Sequence, residues 1–254
     1  MYKAKTIEEI LLSNKYSFSS DYRIIEDWIS TLDRDFSKSL TKSHGYNRVV
    51  SLYDFYQLSK LENFQKINKV CVVSGSEKEL ELNFVNSKEV LTTSLESGYD
   101  LTDNWSSDNF KNFDAKGSFD LVICNQVLEH VPDPIKAFKN LNFLTRKGGY
   151  IWISIPVINR IHDEPNFYSS GYHPRYLKFL ADKFKLDTIH IGAWGSLKYK
   201  LFAVSRNWPP LRKLKRGLRS NSDFLFPAGI FLDGRKLNLN HIVDTWGLFK
   251  KNMN

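Results

Sequence analysis

The sequence predicts an α/β protein built on a doubly wound, mostly parallel sheet. Residues 119–124 and 150–155 are apolar runs too continuous for strands with one wet face, which suits parallel strands covered on both sides. Between them Ile135, Phe138, Leu141 and Leu144 recur at helical spacing, so the stretch reads as a βαβ unit. Upstream, Lys69-Val-Cys-Val-Val-Ser74 is another buried run, and it turns at Gly75 toward a predicted helix.

The 254 residues suffice for one large α/β domain with additions. At 42% hydrophobic and 14% aromatic, the chain can build a sizeable core, which excludes global disorder. A formal charge of +8 favours acidic partners such as phosphates, nucleotide sugars, anionic glycans or anionic lipid, or simply keeps the protein soluble. Cys71 and Cys124 fall in predicted strands and read as reduced core thiols. With no signal region and no apolar run of about 20 residues, the expectation is a soluble, cytoplasmic protein.

Residues 1–66 read as a helical cap before a main domain over 67–254. Thr6 can cap a short helix carrying Ile7, Ile10 and Leu11; Asp21 precedes a second with Ile24, Ile25, Trp28, Ile29 and Leu32 on one face. A third is predicted from about Arg48 to Phe64. Glu89–Ser94 is the second strand. Asp133 can cap the helix of the βαβ unit, Pro134 is tolerated in its first turn, and Gly148-Gly149 stops it where positive φ is needed. His173-Pro174 opens the next helix, with Leu177, Phe179, Leu180 and Phe184 for the core. Lys185–Ile191 alternates as a strand, and Gly192–Ser196 turns the chain. Leu211–Arg219 is a short basic amphipathic segment, either a solvated face or a contact for a membrane surface.

The segments FDLVICNQVLEHVPDP and GGYIWISIP closely resemble the second half of class I S-adenosylmethionine-dependent methyltransferases of the type 11 group. His162-Asp-Glu-Pro165 with Phe167-Tyr168 is similar to the HDEPxDFYR segment of bacterial members found among surface-polysaccharide genes. The resemblance spans roughly residues 65–195. It implies a Rossmann-like seven-stranded sheet, with residues 196–240 inserted before a last antiparallel strand around 241–249, and S-adenosylmethionine as cofactor.

The family's glycine-rich first turn is reduced here to Gly75, and the first strand carries no acid. Cofactor contacts carried over are Ser74 and Gly75 in that turn, Ser94 or Glu96 where a carboxylate takes the ribose hydroxyls, Asp103 (or Asp100) at the adenine, and Asn125 and Gln126 at a strand's carboxyl end. Glu96 and Asp103 read equally as a solvated glutamate and an Asx turn. For catalysis the resemblance points to His162 as base, with Asp163 as orienter, and to His130. Glu164, Tyr168, Tyr172 and Arg175 offer contacts for a sugar-like acceptor, although Ser169 replaces the family's arginine. No metal is expected, because an acid that binds one in related quinone O-methyltransferases is Gln126 here. The function implied is O-methylation of a sugar or glycan-type small acceptor; the alternative is a methyltransferase-like binding subunit that has lost its cofactor. Nucleic acid is not expected as a partner, since Asn207-Trp-Pro-Pro210 does not fit the amino-methylating motif. The first turn lacks a dehydrogenase's G-x-G-x-x-G.

Overall fold

The computed structural model describes residues 22–43, 46–61, 64, 66–75, 78–93, 116–159, 161–162, 165–195 and 242–253. The helix expected at Thr6, the 196–240 insertion with its basic segment 211–219, and Ser94, Glu96, Asp100, Asp103, Asp163 and Glu164 lie outside the described residues.

Six strands form one sheet: β1 Lys69–Val73, β2 Glu89–Thr93, β3 Phe119–Asn125, β4 Thr145–Pro156, β5 Leu186–Trp194 and β6 Asp244–Lys251. Their order is β2-β1-β3-β4-β6-β5. The first four are parallel, and β6 runs antiparallel to both β4 and β5. The described sheet therefore has six strands rather than the seven expected. Chain order reverses between β1 and β3, so the crevice outside their carboxyl ends is the topological switch point where ligands bind in such sheets.

Alternation along the strands sends side chains to two cores. Val122, Cys124, Ile151 and Ile153 meet helices α4 (Pro134–Leu144) and α5 (Pro174–Lys183) on one face. Leu121, Ile123, Tyr150 and Trp152 meet helices α1 (Tyr22–Thr31), α2 (Arg34–Ser43) and α3 (Tyr46–Ser59) on the other. Both cysteines are buried and neither is in a disulfide. The second core is aromatic: Trp152, Trp194, Trp246 and Phe55 are fully buried. Truncating one such ring to alanine costs about 3–5 kcal/mol. Asp54 on α3 accepts the Trp246 indole N–H at 2.9 Å and lies 3.3 Å from His190 Nε2, which pins the N-terminal helices to β5 and β6.

Several expectations are corrected. The turn after Gly75 leads into a single 3-10 turn, Leu80–Phe84, instead of a helix, because Glu79 and Glu81 are drawn onto Arg48. Helix α2 has too few apolar residues to show a periodic stripe; Asp33 nucleates it by accepting from Asp35 N and Phe36 N at 2.9 and 3.1 Å. Helix α3 ends at Ser59, short of Phe64. Strand β4 starts at Thr145, before the glycine pair, and the register against β3 shifts between Phe119 and Leu121; Gly148 takes the expected positive φ of 75°. Strand β5 runs through Gly192 to Trp194, because its pairing with β6 continues to Asp244. Phe179 is 46% exposed rather than in the core.

Candidate functional site

Two clusters sit at the carboxyl ends of the parallel strands. The first lies at the switch point. Ser74 leaves β1 with φ of 50° and donates its N–H to Thr93 O, tying the turn to β2. Arg48 of α3 grips Glu81 with both terminal nitrogens, each at 2.5 Å, and reaches Glu79 Oε1 at 2.6 Å. Asn125, at the end of β3, donates to Glu79 and Glu81 at 3.0 and 3.1 Å and accepts from Ser154 Oγ at 2.8 Å. Trp152 donates its indole N–H to Glu81 at 2.9 Å.

Burial opposes ionisation of Glu81, yet the Arg48 charge and its hydrogen bonds hold this carboxyl below the ordinary range. Glu79 is shifted the other way: burial and the Glu81 charge raise it, and Arg48 offsets them only in part. Burial would lower the Arg48 guanidinium, but Glu81 and Glu79 raise it.

The second cluster lies beyond β3 and β4. Gln126 takes φ of 54° and donates its side-chain amide to Asp244 Oδ1 at 3.4 Å. A short 3-10 turn, Leu128–His130, then buries Glu129 completely. The Glu129 carboxylate oxygens have no hydrogen-bond partner among the described residues beyond the residue's own N–H. Burial first, and the Asp244 charge second, push this carboxyl up to about 7. Segment 166–172 folds over the turn: Tyr168 N and Ser169 N donate to Glu129 O at 2.9 and 3.2 Å, and Tyr172 OH reaches Leu128 O at 3.4 Å. Gly171 makes this lid fit, since at φ of 144° a Cβ would stand 2.4 Å from the Val157 carbonyl carbon.

His130 Nδ1 bonds Asn166 O at 2.8 Å, which assigns the proton to Nδ1 and leaves Nε2 as an acceptor facing Glu129 Oε1 at 3.9 Å. His162 meets His130 edge-on at 4.8 Å between centroids, and Phe167 packs on both rings. One donor atom from each of Glu129, His130 and His162 lies within 4.8 Å of the others. Zinc bonds of about 2.0–2.1 Å would bring such atoms to roughly 3.4 Å, so the trio could hold a metal only after contracting.

The structure thus brings His162 and His130 together and sets Asn125 beside Ser74 and Gly75. Tyr168 is 54% exposed, and its backbone N–H donates to Glu129 O on the same rim. The Tyr172 ring stacks on Tyr176 at 4.8 Å, and Tyr176 on Phe179 at 5.9 Å. An open cavity of about 520 Å³ lined by His173, Arg175, Tyr176 and Phe179 continues from that ladder. Arg48, Glu79 and Glu81 escape sequence reading as site residues, although a lone arginine on an apolar helix is a signal. Glu129 sits in the recognised segment, but only its burial marks it out.

The resemblance places the methionine end of S-adenosylmethionine at the first cluster. That end carries an ammonium, and the residues present fit it: Arg48 neutralises Glu81, and Glu79 is left as a surplus carboxylate beside Gly75. A Cβ on Gly75 would stand 3.2 Å from Glu79 Oε2 and 2.6 Å from Val72 Cγ1, so only glycine leaves that carboxylate uncovered.

A methyltransferase-domain family model matches residues 36–185. Ubiquinone biosynthesis O-methyltransferases of Vibrio parahaemolyticus and Colwellia psychrerythraea are each 35% identical over 60 residues, 24% of this chain. The aligned stretch spans 26% and 24% of these relatives, about a quarter of their length. Among solved structures, an S-adenosylmethionine-dependent methyltransferase of Archaeoglobus fulgidus shares 15% identity with a TM-score of 0.46, covering 86% of this chain and 100% of its own. The N-methyltransferase NodS of Bradyrhizobium japonicum, in complex with S-adenosylhomocysteine, shares 9% with a TM-score of 0.44, covering 92% and 99%. The family model takes in more than half of the chain, and this protein belongs to the methyltransferase domain family, with S-adenosylmethionine as cofactor.

Proposed function

We propose that this protein methylates a hydroxyl of a sugar or glycan-type small acceptor, with His162 taking the hydroxyl proton. The observation that carries the reading is the meeting of His162, His130 and a buried Glu129, whose carboxylate has no hydrogen-bond partner but its own N–H among the described residues, on one rim at the carboxyl ends of the strands. When bound, the cofactor supplies an electrophilic methyl group on a sulfonium. The chain's own residues position the acceptor and handle its proton.

His130 is oriented through Nδ1 by the Asn166 carbonyl, and its ring edge in turn fixes the His162 ring. A neutral imidazole has the basicity to accept a proton near neutral pH. Ionised Glu129 would stabilise the imidazolium that forms. Asp163 and Glu164 remain the proposed orienter and acceptor ligand. Tyr168 and Tyr172 offer ring faces for a sugar, and Arg175 a donor fork for hydroxyls or a phosphate. On the cofactor side Ser74, Gly75, Asn125 and Gln126 take the methionine end, and Ser94, Glu96 and Asp103 the adenosine. The likeness to ubiquinone biosynthesis O-methyltransferases supports oxygen as the atom methylated, and the HDEP-like segment supports a sugar. Residues 1–66 act as a helical cap on 67–254 in a cytoplasmic enzyme, with segment 211–219 available to a membrane surface.

The test is methyl transfer from labelled S-adenosylmethionine to a panel of sugars and sugar phosphates. His162→Ala should lower turnover about 10²–10⁴-fold with unchanged S-adenosylhomocysteine binding and melting temperature. Full activity in that variant would remove His162 from the mechanism. A second reading, a binding subunit without cofactor, is favoured by the single 3-10 turn that replaces a helix after Gly75, since a helix N-terminus no longer faces the ligand. Calorimetry with S-adenosylhomocysteine separates the two.

A further inference from the structure

We infer that Glu79 is the carboxylate that receives the α-ammonium of the methionyl portion of S-adenosylmethionine, replacing the acid that β1 lacks. The inference rests on the cofactor reading above.

Charge counting comes first. The switch-point cluster holds one guanidinium and two carboxylates, and the bidentate grip of Arg48 on Glu81 neutralises one of them. Glu81 is fully buried, and its two oxygens already accept from Arg48, Asn125 and Trp152. Full burial leaves it no face open to a ligand. Glu79 differs in every respect. Its side chain is 19% exposed. Its Oε1 accepts from Arg48 and Asn125, while Oε2 stands over Gly75. One of its oxygens is thus held by Arg48 and Asn125 and the other stands over the Gly75 turn, in a cluster where one guanidinium serves two acids.

The position is equally specific. Gly75 follows the carboxyl end of β1, and Asn125 ends β3, the two strands that flank the switch point. A primary ammonium offers three donors and no acceptor, so a lone carboxylate oxygen beside a side-chain-free turn is its chemical complement. Arg48 is a positioning residue: it holds Glu81 down and aims Glu79. The 3-10 turn has a reason on this account. A helix after Gly75 would carry Glu79 and Glu81 around its axis, whereas the turn lets both reach Arg48.

Isothermal titration with S-adenosylhomocysteine and with its analogue lacking the α-amino group tests the inference. The wild-type protein should prefer the parent compound about 10- to 100-fold. Glu79→Gln should lose most of that preference, with the analogue's affinity within about twofold of wild type. Should the neutral side chain unsettle the fold, as judged by melting, Glu79→Asp supplies the second arm, again weakening the parent more than the analogue. Equal weakening of both ligands, or an undiminished preference in either variant, overturns the assignment alone. No binding of either ligand to the wild-type protein overturns the cofactor reading together with it.

Discussion

At the end of β1, Arg48 grips the buried Glu81 and reaches Glu79; beyond β3, Glu129 is as buried as Glu81, and among the described residues its carboxylate accepts only from its own N–H. Both clusters use short 3-10 turns to bring acids to the sheet edge. In the first, a cation from a distant helix makes the burial tolerable. In the second, burial is relieved by holding the proton. Buried acids therefore read differently by partner: one gripped by a cation, as Glu81 is, builds the platform, and one without a cation is poised for proton chemistry.

Removing the cation should break this comparison most strongly. Arg48→Met leaves two buried carboxylates facing each other, and we expect a loss of about 3–5 kcal/mol in urea unfolding at pH 7. Part of that loss should return near pH 5, where the two acids can take up a proton. A variant as stable as wild type would mean that Glu79 and Glu81 turn outward without their partner.

Neutralising the second cluster should act in the opposite direction. Because the Glu129 carboxyl rises from the ordinary 4.5 to about 7 on folding, the native state binds the proton more tightly than the unfolded chain. Stability therefore falls as pH rises from about 4.5 through 7. Glu129→Gln should accordingly gain about 2–3 kcal/mol at pH 8, a gain that fades on acidification and is gone below pH 4.5. A pH-independent difference would show that Glu129 carries no buried charge.

The smallest expected effect sharpens the frame that both clusters share. Asp133 accepts from Ile135 N and Lys136 N at 3.1 and 3.0 Å and starts α4 behind the Glu129 turn. Asp133→Ala should cost about 1 kcal/mol by thermal melting while leaving the pH response of Glu129 in place. A change in that response would instead make the cap part of the cluster.

Much of the frame was legible along the chain. The runs at 69–73, 119–125 and 150–155, the cap at Asp133 and the helix opened by His173-Pro174 follow from local pattern and emerge as expected, while the antiparallel end strand follows from the family resemblance. Helix α2 was not legible, because its single buried leucine, Leu40, leaves no stripe to read. Nor was the exposure of Phe179, which depends on the stack with Tyr176 rather than on spacing. His130 and His162 were each suspected from their segments, yet their contact joins residues 32 positions apart and required the 166–172 lid to fold over Glu129.

By itself, then, the sequence determined the βαβ frame, the helical faces and the rim on which the histidines stand, since periodicity, capping and turn chemistry are properties of neighbouring residues. Only the tertiary structure decided the state of the charges. Arg48 meets Glu81 across 33 residues, and Glu79 is surplus because one guanidinium serves two carboxylates. Whether an acid is neutralised, protonated or left for a ligand depends on distance and burial, and neither is written in local order.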